Sequence, residues 1–206
     1  MQKDFKGVIF DLGNVIVDFN HLVAAKKISR YASVSLKKIY NFFFDSPLTA
    51  QFEEGKISSK EFFLGVKKAF HLDISFKEFV CIWNGIFFLS KKNLEIHKII
   101  RKLKPHYKLI LVSNINELHF GYLKDRLDIF NEFNELILSY KIKATKPALK
   151  IYKEAFRVSK LSKEEVFYID DRLDLIEKAR EYGIKSFCFN GEIDKLKNTL
   201  LDLGIK

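Results

Sequence analysis

The chain alternates between short segments suited to β-strands and longer segments with helical periodicity. Segments rich in β-branched and aromatic residues occur at 6–10, 108–112, 136–138, 166–169 and 185–189. Helical patterns separate or follow the later ones, at 91–104, 118–127, 147–158, 173–182 and 192–203. Each short segment is predicted to be a strand. Strands that alternate with helices form a parallel sheet covered on both faces, so the pattern predicts a doubly wound α/β fold.

The stretch 17–88 breaks this alternation. It contains no convincing strand, and amphipathic helical runs follow one another at 21–31, 35–44, 58–70 and 75–86. Ser35 and Ser58 are suited to cap their helices, and Glu61 follows Ser58 at the spacing of a capping box. Phenylalanine clusters at 42–44, 62–63 and 87–88 are expected to supply an apolar core. We therefore predict a catalytic α/β core formed by residues 1–16 and 89–206, with an all-helical insertion at 17–88.

The composition and the lengths of the apolar stretches indicate in which environment the protein resides. Hydrophobic residues make up 48% of the 206 residues, which suffices for one full domain with a modest insertion. The longest apolar stretch is too short to cross a bilayer, and Asp11 interrupts the N-terminal one too early for a signal peptide. We therefore expect no membrane passage and a cytoplasmic location. Cys81 and Cys188 lie far apart in apolar surroundings, which predicts buried, reduced thiols.

The net charge of +10 raises the question of a polyanionic partner. Of the 36 basic residues only six are arginines, and the rest are lysines spread over nearly every predicted helix. Dispersed lysine is typical of a solvated surface, which argues against a nucleic-acid partner. The same field would favour a small anionic substrate. The sequence is consistent with a monomer or a homodimer.

Polar side chains follow several of the predicted strands. In an open α/β sheet the carboxyl ends of the strands meet at one edge, where ligands bind. Carboxylates from two strands can hold a hard divalent cation, while the cation and a lysine neutralise a phosphoryl group that a carboxylate attacks. The residues in these places are Asp11, Ser113, Asn114, Lys146, Asp170 and Asp171. Together they predict a phosphoryl-transfer site.

Four short motifs, in this order and spacing, resemble those of the haloacid dehalogenase superfamily. They lie at residues 8–16, 111–114, 146–147 and 167–171, so the resemblance covers almost the whole chain. The helical insertion is similar to the small cap of that family. The segment at 52–58, Phe-Glu-Glu-Gly-Lys-Ile-Ser, resembles a cap signature of a branch that includes bacterial glucose-1-phosphate phosphatases. The resemblance implies a Mg²⁺-dependent phosphatase that acts on a small phosphorylated metabolite, with sugar phosphates as the favoured class.

The resemblance also assigns roles position by position. Asp11 is expected to form an aspartyl-phosphate and to ligate Mg²⁺. Ser113 and the Asn114 backbone are expected to hold a phosphoryl oxygen, and Lys146 to pair with both the phosphate and the nucleophile. The remaining expected metal ligands are Asp171, Asp170 and the backbone carbonyl of Gly13.

Gly13 is also the main departure from the family pattern. Most phosphatases of this superfamily have an aspartate there, which serves first as general acid and then as base. Glycine cannot transfer a proton, so we expect either slow turnover or a preference for leaving groups that need no protonation. Asp18 and His21 are possible substitutes, although each is better explained as a hinge or helix-start residue. Among the other histidines only His119 is expected near the pocket.

Two alternatives stay open. A 2-haloacid dehalogenase would use the aspartate to attack carbon and would need no metal, but the acidic pair at 170–171 favours a metal. A weakly active or non-catalytic regulatory protein could keep the phosphate cradle after losing the acid at position 13. Retention of Asp11, Lys146 and Asp171 argues against a pure binder, because binding alone does not require a nucleophile.

Overall fold

The computed structural model describes residues 4–206. In chain order, its strands are β1 Gly7–Phe10, β2 Asp18–Phe19, β3 Phe87–Phe88, β4 Lys108–Ser113, β5 Glu135–Leu138, β6 Val166–Asp170 and β7 Lys185–Cys188. Its α-helices are α1 His21–Ile28, α2 Leu36–Asp45, α3 Pro47–Glu53, α4 Ser59–Phe70, α5 Phe76–Asn84, α6 Lys91–Leu103, α7 Glu117–Lys124, α8 Ser139–Ile142, α9 Leu149–Ser159, α10 Leu173–Glu181 and α11 Ile193–Asp202. A 3₁₀ turn covers Asp128–Glu132.

The main sheet has β1 at its centre. Within residues 4–206 it consists of five strands in the order β5-β4-β1-β6-β7, and all neighbours pair in parallel. Successive side chains of β1 point to opposite faces. Ile9 packs in the cluster that contains Ile151 of α9 and Ile176 of α10, whereas Phe10 packs in the cluster that contains Ile96 of α6. The doubly wound α/β fold is therefore confirmed.

Helices α1 to α5 share a separate apolar core rich in aromatic residues. Phe43, Phe62 and Trp83 are fully buried in it, and the rings of Phe52 and Phe62 stack with centroids 4.4 Å apart. The expected contribution of the phenylalanine clusters is only partly right, because Phe44 and Phe88 lie largely exposed. Each is the last member of its run, and a helix or strand turns adjacent side chains to different sides.

A short antiparallel ribbon lies where this helical region joins the sheet domain. β2 pairs with β3, with Asp18 opposite Phe88 and Phe19 opposite Phe87. The expectation that residues 17–88 hold no strand was therefore wrong, because two-residue strands are too short to show any periodicity. The limits of the predicted core and insertion, 1–16 with 89–206 and 17–88, stay a prediction.

Helix α3 was not among the predicted helices. It begins after the N-cap Ser46, whose hydroxyl accepts a hydrogen bond from the Thr49 amide at 3.1 Å, and Pro47 occupies the first turn. Seven residues are too few for a clear apolar repeat, which explains the omission. The expected capping box at Ser58 is confirmed, with Glu61 reaching back to the Ser58 amide at 2.7 Å.

The two cysteines are more accessible than the sequence predicted. Cys81 is exposed and Cys188 is half-buried, so the prediction of buried thiols was wrong for Cys81. Cys81 stands on an outward-facing position of α5, whose buried side is formed by Phe79 and Trp83. In residues 4–206 no helix combines the length and apolar character needed to span a bilayer.

Candidate active site

Asp11 directly follows the central strand. Its amide donates to the carbonyl of Ile169 at 2.9 Å, which continues the pairing of β1 with β6 beyond the last strand residue. The residue is only 7% exposed. The sheet thus fixes a buried carboxylate at its carboxyl edge, where ligands of open α/β folds bind.

Lys146 reaches this carboxylate from the loop before α9. Its buried ammonium donates to a carboxylate oxygen of Asp11 and, at 2.6 Å, to Oδ2 of Asp170. The Asn114 side chain holds the Lys146 backbone, accepting from its amide at 2.7 Å and donating to its carbonyl at 3.0 Å. The loop after β4 therefore positions the lysine, a task for the Asn114 side chain that the sequence analysis did not foresee.

Asp170 and Asp171 lie at the end of β6. Asp170 is fully buried and accepts hydrogen bonds from the Tyr168 hydroxyl and, at 2.9 Å, from the Arg172 amide. Asp171 accepts from the Asn14 side chain at 2.9 Å. Each carboxylate is thus oriented by a neighbouring donor before any ligand binds.

The charges in this cluster are strongly coupled. Burial raises the pKa of Asp11 to about 7, although the Lys146 ammonium acts against this rise. Burial opposes the charge of Lys146, but the attraction of Asp11 and Asp170 outweighs it and raises the pKa of the lysine. Burial also raises the pKa of Asp171. One buried cation therefore does not fully compensate three neighbouring carboxylates.

The three carboxylates fit a divalent cation. Asp11, Asp170 and Asp171 each offer an oxygen, and these oxygens lie within 4.8 Å of one another. Carboxylate oxygens are the ligands that hard cations such as Mg²⁺ prefer. A divalent cation would also supply the positive charge that the raised pKa values of Asp11 and Asp171 indicate is lacking.

A cavity opens beside this cluster. Ser113 and Asn114 border it from the sheet domain, and His21 borders it from the helical region. Apolar walls complete it, formed by Leu12, Phe19, Ile86, Phe87 and Ile115. Ser113 and Asn114, which are predicted to bind phosphate, therefore border a cavity with mostly apolar walls.

Position 13 faces the same cavity without a side chain. A Cβ atom built on Gly13 would lie 2.7 Å from Cε1 of Phe19, far closer than real Cβ contacts. The aromatic ring of Phe19 therefore lies where the side chain of an aspartate at position 13 would stand.

Asp18 does not fill the gap. Its carboxylate pairs with Lys92 at 2.9 Å and accepts from the Asn93 side chain at 3.2 Å, so it ties the β2 strand to α6. It does not border the cavity, which agrees with its interpretation as a hinge residue. His21 begins α1 as expected, and it also lines the cavity.

Glu53, the last residue of α3, was not among the predicted site residues. Its side chain lines the cavity together with Gly13 and Ser113. The signal was present, because Glu53 belongs to the segment 52–58 that resembles a cap signature. His119 lines the cavity as expected, but both of its ring nitrogens face partners, Asn116 at 3.1 Å and the Trp83 carbonyl at 3.1 Å.

Lys143, the residue after α8, adopts φ = 57°, the left-handed conformation that glycine adopts most easily. Its ammonium donates to the carbonyl of Gly55 in the helical region. Leu175 is buried on the inner face of α10. Neither side chain borders the cavity.

Comparison with known proteins decides the family. A family model described as haloacid dehalogenase-like hydrolase matches residues 8–189, which include every residue of the cluster and cavity. The chain belongs to this family.

Two curated relatives have low sequence identity to this chain. The chain is 24% identical over 188 residues to a D-ribitol-5-phosphate phosphatase of Bacteroides thetaiotaomicron, covering 88% of this chain and 90% of the relative. It is also 24% identical to a sesquiterpene phosphatase of Aspergillus oryzae, covering 89% of each. A crystal structure of a wild-type family enzyme from Bacteroides thetaiotaomicron, in complex with magnesium and inorganic phosphate, matches with a TM-score of 0.79. That match has 24% identity and covers 91% of this chain and 96% of the other. At this identity the structural likeness shows the fold alone.

Proposed function

We propose that this family member is a Mg²⁺-dependent phosphatase that hydrolyses a small phosphorylated metabolite through an aspartyl-phosphate at Asp11. One observation carries the proposal: Asp11 lies at the sheet edge against the buried Lys146 and beside two further carboxylates. A nucleophilic carboxylate that meets an anionic phosphate ester needs this positive charge nearby.

The residues divide the work as follows. Asp11 attacks phosphorus, the bond to the leaving oxygen breaks, and water later releases phosphate from the aspartyl group. Lys146 favours the ionised form of Asp11 and pairs with the phosphoryl oxygens. Ser113 and the Asn114 backbone bind another phosphoryl oxygen at the cavity floor.

Asp11, Asp170, Asp171 and the Gly13 carbonyl would hold the cation. When bound, it supplies charge neutralisation for the phosphoryl group. Asp170 is already engaged by Lys146, Tyr168 and a backbone amide. We therefore infer that Asp170 mainly orients the lysine, and that Asp171 is the more available ligand.

The relatives support the substrate class. One is named a D-ribitol-5-phosphate phosphatase and another a sesquiterpene phosphatase, so both names indicate a phosphatase of small molecules. We favour sugar and polyol phosphates, because Glu53 and His21 line the same cavity as Ser113 and offer hydrogen-bonding groups there.

Phosphate release tests the proposal. The assay uses p-nitrophenyl phosphate and a panel of sugar and polyol phosphates, with Mg²⁺ or with a chelator. We expect turnover that requires Mg²⁺ and falls about 10⁴-fold or more in Asp11→Asn. Asp125→Asn, an exposed aspartate at the end of α7, is the matched control and should keep full activity.

The outcome that contradicts the proposal is equally concrete. Folded protein with no Mg²⁺-dependent release of phosphate from any member of the panel would reject it. Chloride release from 2-chloropropionate in the presence of chelator would instead establish the dehalogenase alternative.

A further inference from the structure

Glu53 lines the cavity that opens beside the carboxylate cluster. It comes from α3 in the helical region, whereas Gly13, Ser113 and Asn114 come from the sheet domain, and all four line the same cavity. A leaving group attached to a phosphoryl group at Ser113 must extend into this space. Glu53 is therefore positioned to meet it.

The backbone of Glu53 is fixed to the phosphate-binding loop. The buried hydroxyl of Ser139 donates to the Glu53 carbonyl at 2.6 Å and accepts from the Ile115 amide at 2.9 Å. Two residues further, Gly55 passes so close to the core that a Cβ atom would lie 2.2 Å from the Tyr140 carbonyl oxygen. These contacts hold the end of α3 at a set distance from residues 113–115.

The carboxyl group itself has no partner in the structure. Within residues 4–206, no hydrogen bond or ion pair engages its side-chain oxygens. Burial raises the pKa of Glu53 to about 7, and Arg172 opposes this rise only in part. A negative charge at the C-terminal end of a helix is unfavourable as well. The protonated acid is thus accessible near neutral pH, as a general acid requires.

Other groups near the cavity are less suited to transfer a proton. Burial lowers the pKa of His21 to about 4 and that of His119 to about 3, so both rings are neutral and carry no proton of suitable acidity. The ring of His119 is also held by partners on both nitrogens. Asp18 is engaged by Lys92 outside the cavity.

We propose that Glu53 is the general acid and base of this enzyme and replaces the side chain that Gly13 lacks. The inference rests on the proposed phosphatase function. In the first step, Asp11 forms a bond to phosphorus while the bond to the leaving oxygen breaks, and that oxygen takes the proton of Glu53. In the second step, the Glu53 carboxylate accepts a proton from water as its oxygen bonds to phosphorus. The bond from phosphorus to Asp11 breaks, which restores the Asp11 carboxylate and the Glu53 acid.

This proposal changes the substrate range expected from Gly13. Without an acid, only leaving groups that are stable as anions would be expelled at a useful rate. With Glu53 as the acid, alkyl monophosphates such as polyol phosphates become good substrates. The helical region then contributes a reacting group, and it does more than exclude water.

The dependence of the rate on the leaving group provides the test. Glu53→Gln keeps the size of the side chain but cannot donate a carboxyl proton. The variant and the wild type are compared by kcat/KM on p-nitrophenyl phosphate and on ribitol 5-phosphate, or on the alkyl phosphate of the panel that wild type hydrolyses fastest. We expect a loss of about 10²–10⁴ on the alkyl phosphate and less than about fivefold on p-nitrophenyl phosphate, whose leaving group needs no proton.

The neighbouring Glu54→Gln is the matched control. Glu54 pairs with Lys56 and does not line the cavity, so this variant should match wild type on both substrates. If Glu53→Gln does not fold, as judged by circular dichroism, Glu53→Ala is assayed with added acetate. Restoration of alkyl phosphate turnover by acetate supports the proposal, and failure of acetate to restore it counts against the proposal.

The possible outcomes separate the two claims. Equal losses on both substrates would show a role in binding or structure and would overturn the proton-transfer role. Unchanged rates on both substrates would overturn it as well. Wild-type protein that hydrolyses neither substrate with Mg²⁺ would instead reject the proposed phosphatase function.

Discussion

The polar and charged groups on the two sides of the cavity differ in whether they have partners. On the sheet side, each charged group has a partner: Lys146 joins Asp11 to Asp170, and Asn14 donates to Asp171. On the helical side, Glu53 has no partner within the described chain, and Nδ1 of His21 is buried without one. The contrast indicates that the sheet side is organised in advance for a phosphoryl group of constant chemistry. The helical side keeps its polar groups free for whatever part of the substrate enters.

The largest effect on this contrast is expected when the positive charge of Lys146 is removed from the sheet side. Lys146→Met keeps the length of the side chain but leaves two buried carboxylates without their partner. We expect the free energy of unfolding, measured by urea titration in chelator, to fall by about 3–5 kcal/mol. Phosphatase activity should fall with it, because the nucleophile loses the cation that favours its ionised form.

Lys150→Met provides the control for this substitution. Lys150 lies exposed at the start of α9, four residues after Lys146, so its removal should change stability by less than about 0.5 kcal/mol. A Lys146→Met variant as stable as Lys150→Met would show that the buried pairs do not stabilise the fold.

The sheet side is also the part that the sequence predicts well. Asp11, Ser113, Lys146 and Asp170 each follow a recognisable strand or precede a recognisable helix, and the carboxyl ends of parallel strands must converge. Residue type and position along the chain therefore suffice to bring them together. The pairing of Lys146 with Asp11 was expected as well, whereas its pairing with Asp170 and the hydrogen bond from Asn14 to Asp171 were not.

The helical side could not be predicted to the same depth. Glu53 meets the cavity only because a seven-residue helix ends against Ser139, a contact between positions 86 residues apart. Likewise, nothing local reveals that the ring of Phe19 fills the space beside Gly13. Such features depend on how the two regions pack on each other, and helical periodicity carries no information about that.

Gly55 lies where the helical region contacts the sheet domain, and the space around it excludes a side chain. Gly55 has φ = 61° and passes close to the Tyr140 carbonyl, so Gly55→Ala introduces both backbone strain and a collision. We expect a loss of about 2–4 kcal/mol in the free energy of unfolding. Hydrolysis of alkyl phosphates should decline more than hydrolysis of p-nitrophenyl phosphate, because Glu53 is displaced with the loop.

A second glycine gives the opposite expectation and serves as the control. Gly121 lies within α7, and a Cβ atom there would meet nothing within 4 Å. Gly121→Ala should therefore stabilise the protein by about 0.5–1 kcal/mol, because alanine favours the helix. If both substitutions had the same sign, close packing at Gly55 would not be the cause.

The smallest effect concerns the charge of Glu53 itself. Because burial raises its pKa from 4.5 to about 7, the folded protein holds a proton between these pH values that the unfolded chain releases. Stability must then decline as pH rises through this window. Glu53→Gln removes this contribution, so relative to wild type the variant should gain about 1–2 kcal/mol between pH 5 and pH 8, with Arg172 as the nearby charge that limits the gain.

Urea titrations of both proteins in chelator measure the difference, and Asp11, whose pKa is raised in both, cancels from the comparison. Neutralising a charge would thus stabilise the helical side at pH 8, whereas Lys146→Met destabilises the sheet side. A difference between variant and wild type that stays constant with pH would show that Glu53 is ionised and well solvated in the folded protein, which is incompatible with a role as general acid.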